Sequence, residues 1–171
     1  MNKANDKKLC KKYPKIFAKR GADMRTTCMC WGFECGDGWF WLIDQLCSAL
    51  QSRIDNTCPA PPQVVAEQVK EKWGGLRLYF SGGDSTACGM IDFAERLSYS
   101  FCEVCGTTNN VGRTTKGYIT TLCGACAKEH DRVDWMSLVK IVASHKRRKA
   151  REEKAKAALK AKPHPFPKRK N

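Results

Sequence analysis

The sequence predicts an α+β fold, in which a small mixed domain of helices and a β-hairpin precedes a cysteine-rich motif and a basic helical tail. Three observations lead to this fold class: an apolar helical stripe after Asp37, a Gly-Gly pair between two strand-like segments, and two Cys-x2-Cys pairs. The 171 residues, 42% of them hydrophobic, suffice for one domain with tails. We expect four segments: a basic N-terminal arm (1–20), an α+β body (21–101), the cysteine-rich motif with a packed helix (102–144), and the tail (145–171).

The N-terminal arm is predicted to fray at its start. Pro14 interrupts any helix around Leu9 and Tyr13, because proline lacks a backbone donor and restricts the residue before it. We therefore expect a short helix from Pro14 onward that docks Ile16 and Phe17 on the body.

The strongest helix prediction starts at Asp37, a residue type that caps helix N-termini well. Apolar residues then recur at helical spacing and form one broad face. Trp41 lies off that face, so we expect its ring to be exposed. The predicted face consists of Trp39, Leu42, Ile43, Leu46, Leu50 and Ile54.

Residues 64–80 predict a β-hairpin whose turn is Gly74-Gly75, because two-residue hairpin turns need positive φ. In that register Trp73 faces Leu76, and Val69 faces Phe80. A helix over residues 62–73 is the alternative, since three apolar residues there are also four apart.

Two further helices are predicted near the C-terminus. One carries Met90, Phe93, Ala94 and Leu97 and ends near Phe101. The other has an apolar stripe made of Val133, Trp135, Leu138, Val139 and Val142. Beyond His145 we expect it to continue as a solvated helix, to break at Pro163 and to become extended over residues 164–167.

The two Cys-x2-Cys pairs predict a zinc site. The pairs Cys102/Cys105 and Cys123/Cys126 enclose seventeen residues, a separation typical of four-cysteine zinc sites. Four thiolates fill the coordination shell of Zn²⁺, which makes the site structural. A glycine-containing, strand-like insert and a helix start after the second pair indicate a treble-clef-like finger with one zinc ion. Four unrelated buried cysteines are the alternative.

Three other cysteines, Cys28, Cys30 and Cys35, could form a second metal site. They lack an obvious fourth ligand, although Cys47, Cys58 or Cys88 could approach. We favour buried thiols that pack as small hydrophobic groups.

The net charge of +14 is concentrated at the two ends of the chain. Residues 1–20 hold eight basic residues and one acid, and residues 140–171 hold thirteen basic residues and two acids, which leaves the middle at −4. Basic arms of this kind bind phosphates and release counterions. The candidate nucleic-acid-binding residues are Lys146, Arg147, Arg148, Lys149, Arg151, Lys154, Lys11, Lys12, Lys70, Lys72 and Arg77.

No catalytic constellation is recognised, and we expect a protein that is not an enzyme. A nuclease of the HNH type needs histidines between its cysteine pairs, and residues 106–122 contain no His, Asp or Glu. Ser-based, P-loop and H-E-x-x-H motifs are absent from the sequence. His130 is interpreted as a surface or capping histidine.

Several motifs together resemble those of small, uncharacterised zinc-binding proteins encoded by tailed bacteriophages. They are Cys35-Gly36-Asp37-Gly38-Trp39, the segment around Trp73-Gly74-Gly75-Leu76-Arg77, and the two cysteine pairs in the same order. The resemblance covers about residues 13–127 and excludes the basic tail. It implies a phage origin, action in the host cytoplasm and a treble-clef-like end, and it supplies no activity.

Two functions follow as hypotheses. The first is an accessory protein that binds DNA or RNA through its basic arms, largely independently of sequence. The second is a protein-binding effector that inhibits or redirects a host machine, such as a defence nuclease or polymerase, with Trp31, Phe33 and Trp41 as aromatic anchors. We expect no membrane partner, because no apolar run is long enough to span a bilayer.

Overall fold

The computed structural model describes residues 1–161, with side chains through residue 158, so the predictions for Pro163 and residues 164–167 lie outside the described residues. The chain divides into two compact units, Met1–Ser137 and a second unit that starts at Leu138. The helices are α1 (Lys3–Lys12), α2 (Phe40–Asn56), α3 (Ser85–Ser98), α4 (Gly124–Glu129) and α5 (Leu138–Ala161). The strands are β1 (Phe33–Glu34), β2 (Val65–Lys72), β3 (Gly75–Ser81), β4 (Val111–Thr114), β5 (Thr121–Cys123) and β6 (Trp135–Ser137).

Helix α1 differs from the predicted frayed start. The side chain of Asn2 accepts the N–H of Asn5 at 2.9 Å and caps the helix, and Leu9 is fully buried in the core. The helix ends before Pro14, so the proline costs it no hydrogen bond. No helix starts at Pro14, although Ile16 and Phe17 are buried as predicted.

Four of the eight basic residues in the first twenty form ion pairs, three with carboxylates of the body and one with an acid of the arm itself. The three pairs with the body offset part of the arm's positive charge, whereas Arg20 pairs with Asp6, the one acid of the arm. The pairs are Lys12–Asp44 (2.8 Å), Lys15–Asp55 (3.4 Å), Lys19–Glu67 and Arg20–Asp6 (2.8 Å).

Helix α2 buries most of the predicted apolar face and leaves Trp41 exposed, as expected. The helix starts at Phe40, and Asp37 does not cap it. Asp37 instead accepts the N–H of Asn2 at 2.9 Å and the amide of Asn5 at 3.0 Å, so its carboxylate ties α1 to the start of α2.

The β2–β3 hairpin confirms the strand prediction and excludes the alternative helix over residues 62–73, but its register was predicted wrongly. Val69 pairs with Leu78, and the turn residues are Trp73 and Gly74, with φ of 56° and 76°. Gly75 is the first residue of β3 and pairs with Lys72, and a Cβ there would lie 2.6 Å from the ring of Tyr99, so the position has no room for a side chain. The shift of two residues keeps each side chain on its predicted face.

The first sheet gains a third strand that the sequence did not reveal. β1 runs parallel to β2, with Phe33 beside Val69, which gives the order β1-β2-β3. Helix α3, capped by Asp84, buries Ala87, Ile91 and Ala94 against this core.

A second sheet, in the order β5-β4-β6, contains Trp135, which was predicted to be helical. Trp135 pairs with Thr114 and donates its indole N–H to the carbonyl of Leu122 at 2.9 Å. Helix α5 therefore starts only at Leu138, and its side chains over residues 142–158 are exposed. Within residues 1–161, no helix combines the length and apolar character that a membrane span requires.

Candidate metal centre

The four predicted ligands meet at one point in unit 1. The sulfur atoms of Cys102, Cys105, Cys123 and Cys126 all lie within 4.8 Å of one another. Three of these cysteines are buried, and Cys105 is exposed at the edge. The cluster can hold a metal ion.

The first cysteine pair lies in a tight turn that follows α3. The N–H of Gly106 donates to the carbonyl of Cys102 at 2.8 Å, and the N–H of Cys102 donates to the carbonyl of Thr107 at 2.8 Å. Gly106 has φ of 76°, a conformation that glycine adopts without steric cost, so it can leave the turn in this direction.

The second pair lies where β5 passes into α4. Cys123 is the last residue of β5 and caps the helix, since its sulfur accepts the N–H of Cys126 at 3.4 Å. Burial opposes ionisation of Cys123, but the hydrogen bonds from Cys126 and from the neighbouring thiols outweigh it and lower the pKa of Cys123. Thiolates are the metal-binding form of cysteine.

The sulfur spacing fits a tetrahedral ion. The sulfur atoms of Cys105 and Cys123 lie 3.7 Å apart. Two ligands of a tetrahedral zinc at a Zn–S distance of about 2.3 Å are separated by about 3.8 Å. A disulfide would require about 2.05 Å. This distance is compatible with two ligands of one tetrahedral ion and excludes a disulfide between Cys105 and Cys123.

The Cys35-Gly36-Asp37-Gly38-Trp39 motif packs directly on the first cysteine turn. The N–H of Gly38 donates to the carbonyl of Glu103 at 2.8 Å, and the N–H of Gly36 donates to the Glu103 carboxylate at 3.0 Å. Burial raises the pKa of Glu103 to about 7, although the Gly36 N–H opposes this shift. The indole of Trp39 donates to the carbonyl of Phe101 at 3.2 Å. Each contact fixes the turn against the start of α2.

The turn of the β2–β3 hairpin also packs on the segment that contains the four cysteines. Thr121 donates its hydroxyl to the carbonyl of Gly74 and, through its own carbonyl, accepts the N–H of Glu103 at 2.9 Å. Arg113 donates to the carbonyl of Trp73, and its guanidinium lies 4.8 Å from the ring centre of Tyr99. Both glycine-containing motifs thus hold the cysteine module, residues 102–137, on the body.

The predicted nucleic-acid-binding residues fall into two groups. Lys146, Arg147, Arg148, Lys149, Arg151 and Lys154 are exposed on α5, and Lys11 and Lys72 are exposed on unit 1. Three others are engaged within the fold. Lys12 pairs with Asp44, and the ammonium of Lys70 lies 5.3 Å from the ring centre of Tyr79. Arg77 donates to the hydroxyl of Tyr99 and to the carbonyl of Leu76.

The three predicted protein-binding aromatic residues also differ in their exposure. Trp31 and Trp41 are exposed, whereas Phe33 is buried with its ring 4.9 Å from that of Phe17. Phe33 is therefore a core residue of strand β1. Two further exposed rings, Trp73 and Tyr118, line one cavity and were not among the predicted site residues. Their loop positions beside Gly74 and Gly117 were the available signal.

The possible second site does not assemble. Among the described residues, no further group of three potential ligands comes together around Cys28, Cys30 and Cys35. Cys35 is buried, in keeping with the packing interpretation, and Cys28 is exposed. His130 lies at the C-terminal cap of α4, outside the ligand cluster.

Comparison of the chain with protein-family models, curated proteins and solved structures finds no match.

Proposed function

We propose that this is a zinc-stabilised accessory protein that binds nucleic acid through the phosphate backbone, largely independently of sequence. One observation carries the proposal: α5 is a long helix whose basic side chains over residues 146–156 are exposed. In unit 1, by contrast, four of the eight N-terminal cations are paired with acids. Within the described residues, α5 therefore offers a concentrated group of exposed cations.

The basic residues of α5 differ in their acidic neighbours. Arg147, Arg151 and Lys154 follow i, i+4, i+7 spacing and share one helix face. Lys146, Lys149 and Lys156 share another face with Glu153, while Arg148 pairs with Glu152 at 3.5 Å. The face of Arg147, Arg151 and Lys154, called here the arginine face, carries no acid and is the better phosphate contact.

The metal in this proposal is one Zn²⁺ in a treble-clef-like module. A cysteine turn, a pair of strands and a helix that carries the second cysteine pair support that class. Four sulfur ligands leave no position for a catalytic water, so the ion's role is to hold the module together. In line with the resemblance to phage proteins, we place the protein in the cytoplasm of an infected host.

Binding to unrelated duplex DNA across a salt series tests the function. The logarithm of the binding constant should fall with the logarithm of salt concentration by about 0.9 for each phosphate contacted. A chain that ends at Ser144 should lose most of this slope. Weak binding that the truncation leaves unchanged would reject the proposal.

A second function, capture of a host protein, is favoured by an apolar cavity of about 220 Å³ between α2 and α3. Trp41 and Phe93 line it with exposed rings, and exposed aromatic residues are frequent anchors at protein interfaces. A stoichiometric partner that survives nuclease treatment, and that Trp41→Ala releases, would favour this function. Loss of all partners after nuclease treatment would favour the first.

A further inference from the structure

A cavity of about 490 Å³ lies between the tip of the β2–β3 hairpin and the loop that joins β4 to β5. Its volume falls within the range of small-ligand sites. Trp73 and Tyr118 are the large rings on its wall, and they are 67% and 68% exposed. The remaining lining residues are Glu71, Lys72, Gly117 and Ile119.

Trp73 occupies an unusual backbone conformation. Its φ of 56° is a left-handed value, which is rare for a bulky residue and costs about 1–2 kcal/mol. The surrounding contacts maintain it: Arg113 donates to the Trp73 carbonyl, and the N–H of Gly74 donates to the Glu71 carboxylate at 2.5 Å. Trp73 and Gly74 are the two central residues of the hairpin turn, where positive φ is required, so the turn presents the exposed Trp73 ring at the cavity.

The opposite wall is fixed as well. The hydroxyl of Tyr118 donates to the second carboxylate oxygen of Glu71. One carboxylate therefore connects the hairpin tip to the loop that joins β4 to β5. Asp134 accepts the N–H groups of Thr115 and Lys116, both at 2.9 Å, and thereby anchors the start of that loop. The Tyr118 side chain is thus held by its own hydroxyl, and the backbone that carries the Trp73 ring is held by the turn contacts.

We propose that this cleft binds one unpaired nucleobase of a single strand, with Trp73 and Tyr118 as stacking surfaces. The proposal rests on the nucleic-acid function and narrows it to strands with unstacked bases. Every base has a π-face, so stacking of this kind tolerates any sequence. The Glu71 carboxylate retains acceptor capacity for an N–H of the base, because each of its oxygens has two lone pairs.

Lys72 helps to select this ligand class. A cage for a methylated ammonium group would also use aromatic rings and a carboxylate. The positive charge of Lys72, which also lines the cleft, opposes a cationic ligand and favours a ring that is attached to a phosphate. A nucleotide within a strand satisfies both requirements.

The test compares two probes that share a phosphate backbone: a 12-nucleotide single strand without self-complementarity, and an abasic strand of equal length. The full zinc-loaded chain should bind the base-containing strand roughly 5- to 150-fold more tightly. Trp73→Gly removes the ring and suits the turn, and it should abolish this preference without changing affinity for the abasic strand. Tyr118→Ala should reduce the preference strongly, and Tyr118→Phe should retain most of it.

Trp31→Ala is the matched control, because Trp31 is 63% exposed and lies outside the cleft. It should retain the wild-type preference. Equal affinity of the wild-type chain for both strands would overturn the base-binding cleft and leave backbone binding intact. Absence of binding to either strand at low salt would instead reject the nucleic-acid function. Zinc content and circular dichroism confirm that each variant is folded.

Discussion

Gly38 lies against the carbonyl of Cys102, and its contacts leave no room for a side chain. A Cβ at Gly38 would overlap that oxygen and lie 2.5 Å from the nitrogen of Gly106. All three atoms belong to the contact between the start of α2 and the first cysteine turn. We predict that Gly38→Ala destabilises the protein by about 3 kcal/mol, as overpacking at a rigid backbone contact does. Urea unfolding of the zinc-loaded chain measures the change.

Gly89→Ala is the control for that substitution. Gly89 lies inside α3, and a Cβ there meets nothing within 4 Å. Alanine should therefore stabilise the protein by about 0.5–1 kcal/mol through helix propensity. A Gly38→Ala variant as stable as wild type would contradict the docking contact.

The cysteine cluster predicts one tightly bound zinc ion for each chain. Cys105→Ser should remove one ligand, lower the zinc content and expose residues 102–137 to hydrogen exchange. Cys88→Ser should change neither, because Cys88 is also exposed but lies outside the cluster. Elemental analysis and hydrogen exchange provide the two readouts. Full zinc content in Cys105→Ser would remove that residue from the ligand set.

The hairpin turn predicts opposite effects of two substitutions on stability. Trp73→Gly relieves the left-handed strain at φ 56° and should raise the free energy of unfolding by about 1 kcal/mol. Trp73→Val places a β-branched residue in the same conformation and should lower it by a similar amount. Thermal unfolding distinguishes the two outcomes. If valine is tolerated as well as glycine, the turn is not strained.

The surroundings of Cys10 predict that its thiol is alkylated slowly and that removing the neighbouring carboxylate accelerates the reaction. Burial raises the pKa of Cys10 to about 12, and the thiol also donates to the Asp6 carboxylate at 3.3 Å. Ionisation would place two anions together. Asp6→Asn should therefore lower the pKa and accelerate alkylation by iodoacetamide at pH 8 by several-fold.

The Arg20→Gln variant distinguishes an electrostatic effect on the Cys10 thiol from greater access of the reagent to that thiol. It breaks the same ion pair, but it removes a cation that lowers the pKa of Cys10. Alkylation should become slower if electrostatics governs reactivity. Faster alkylation in both variants would show that greater access to the thiol is the cause.

The parts of the structure that sequence could predict are those set by local spacing. The cysteine spacing was sufficient to identify the ligand cluster, because both ligands of each pair lie in one short turn. The apolar stripe of α2 was recognised for the same reason. Asp37 was misjudged, since its carboxylate bonds to Asn2 and Asn5, more than thirty residues away in sequence.

The hairpin register and the N-terminal charge depended on contacts that local patterns do not contain. The ring of Tyr99 leaves no room for a side chain at Gly75, and Arg113 donates a hydrogen bond to the carbonyl of Trp73. The cations of the basic arm were expected to be available for phosphate binding, whereas Lys12 pairs with Asp44 and Arg20 donates to the Cys30 carbonyl. Such long-range pairings determined where the positive charge remained available.

The arginine face of α5 provides the most direct test of backbone binding. Two variants that each remove three positive charges are compared by the salt dependence of duplex binding: Arg147→Ala/Arg151→Ala/Lys154→Ala and Lys146→Ala/Lys149→Ala/Lys156→Ala. The first should lower the slope by about 2.7, or 0.9 for each lost phosphate contact. The second, whose lysines share their face with Glu153, should lower it by less than half as much. A wild-type slope in the first variant would contradict nucleic-acid binding through α5.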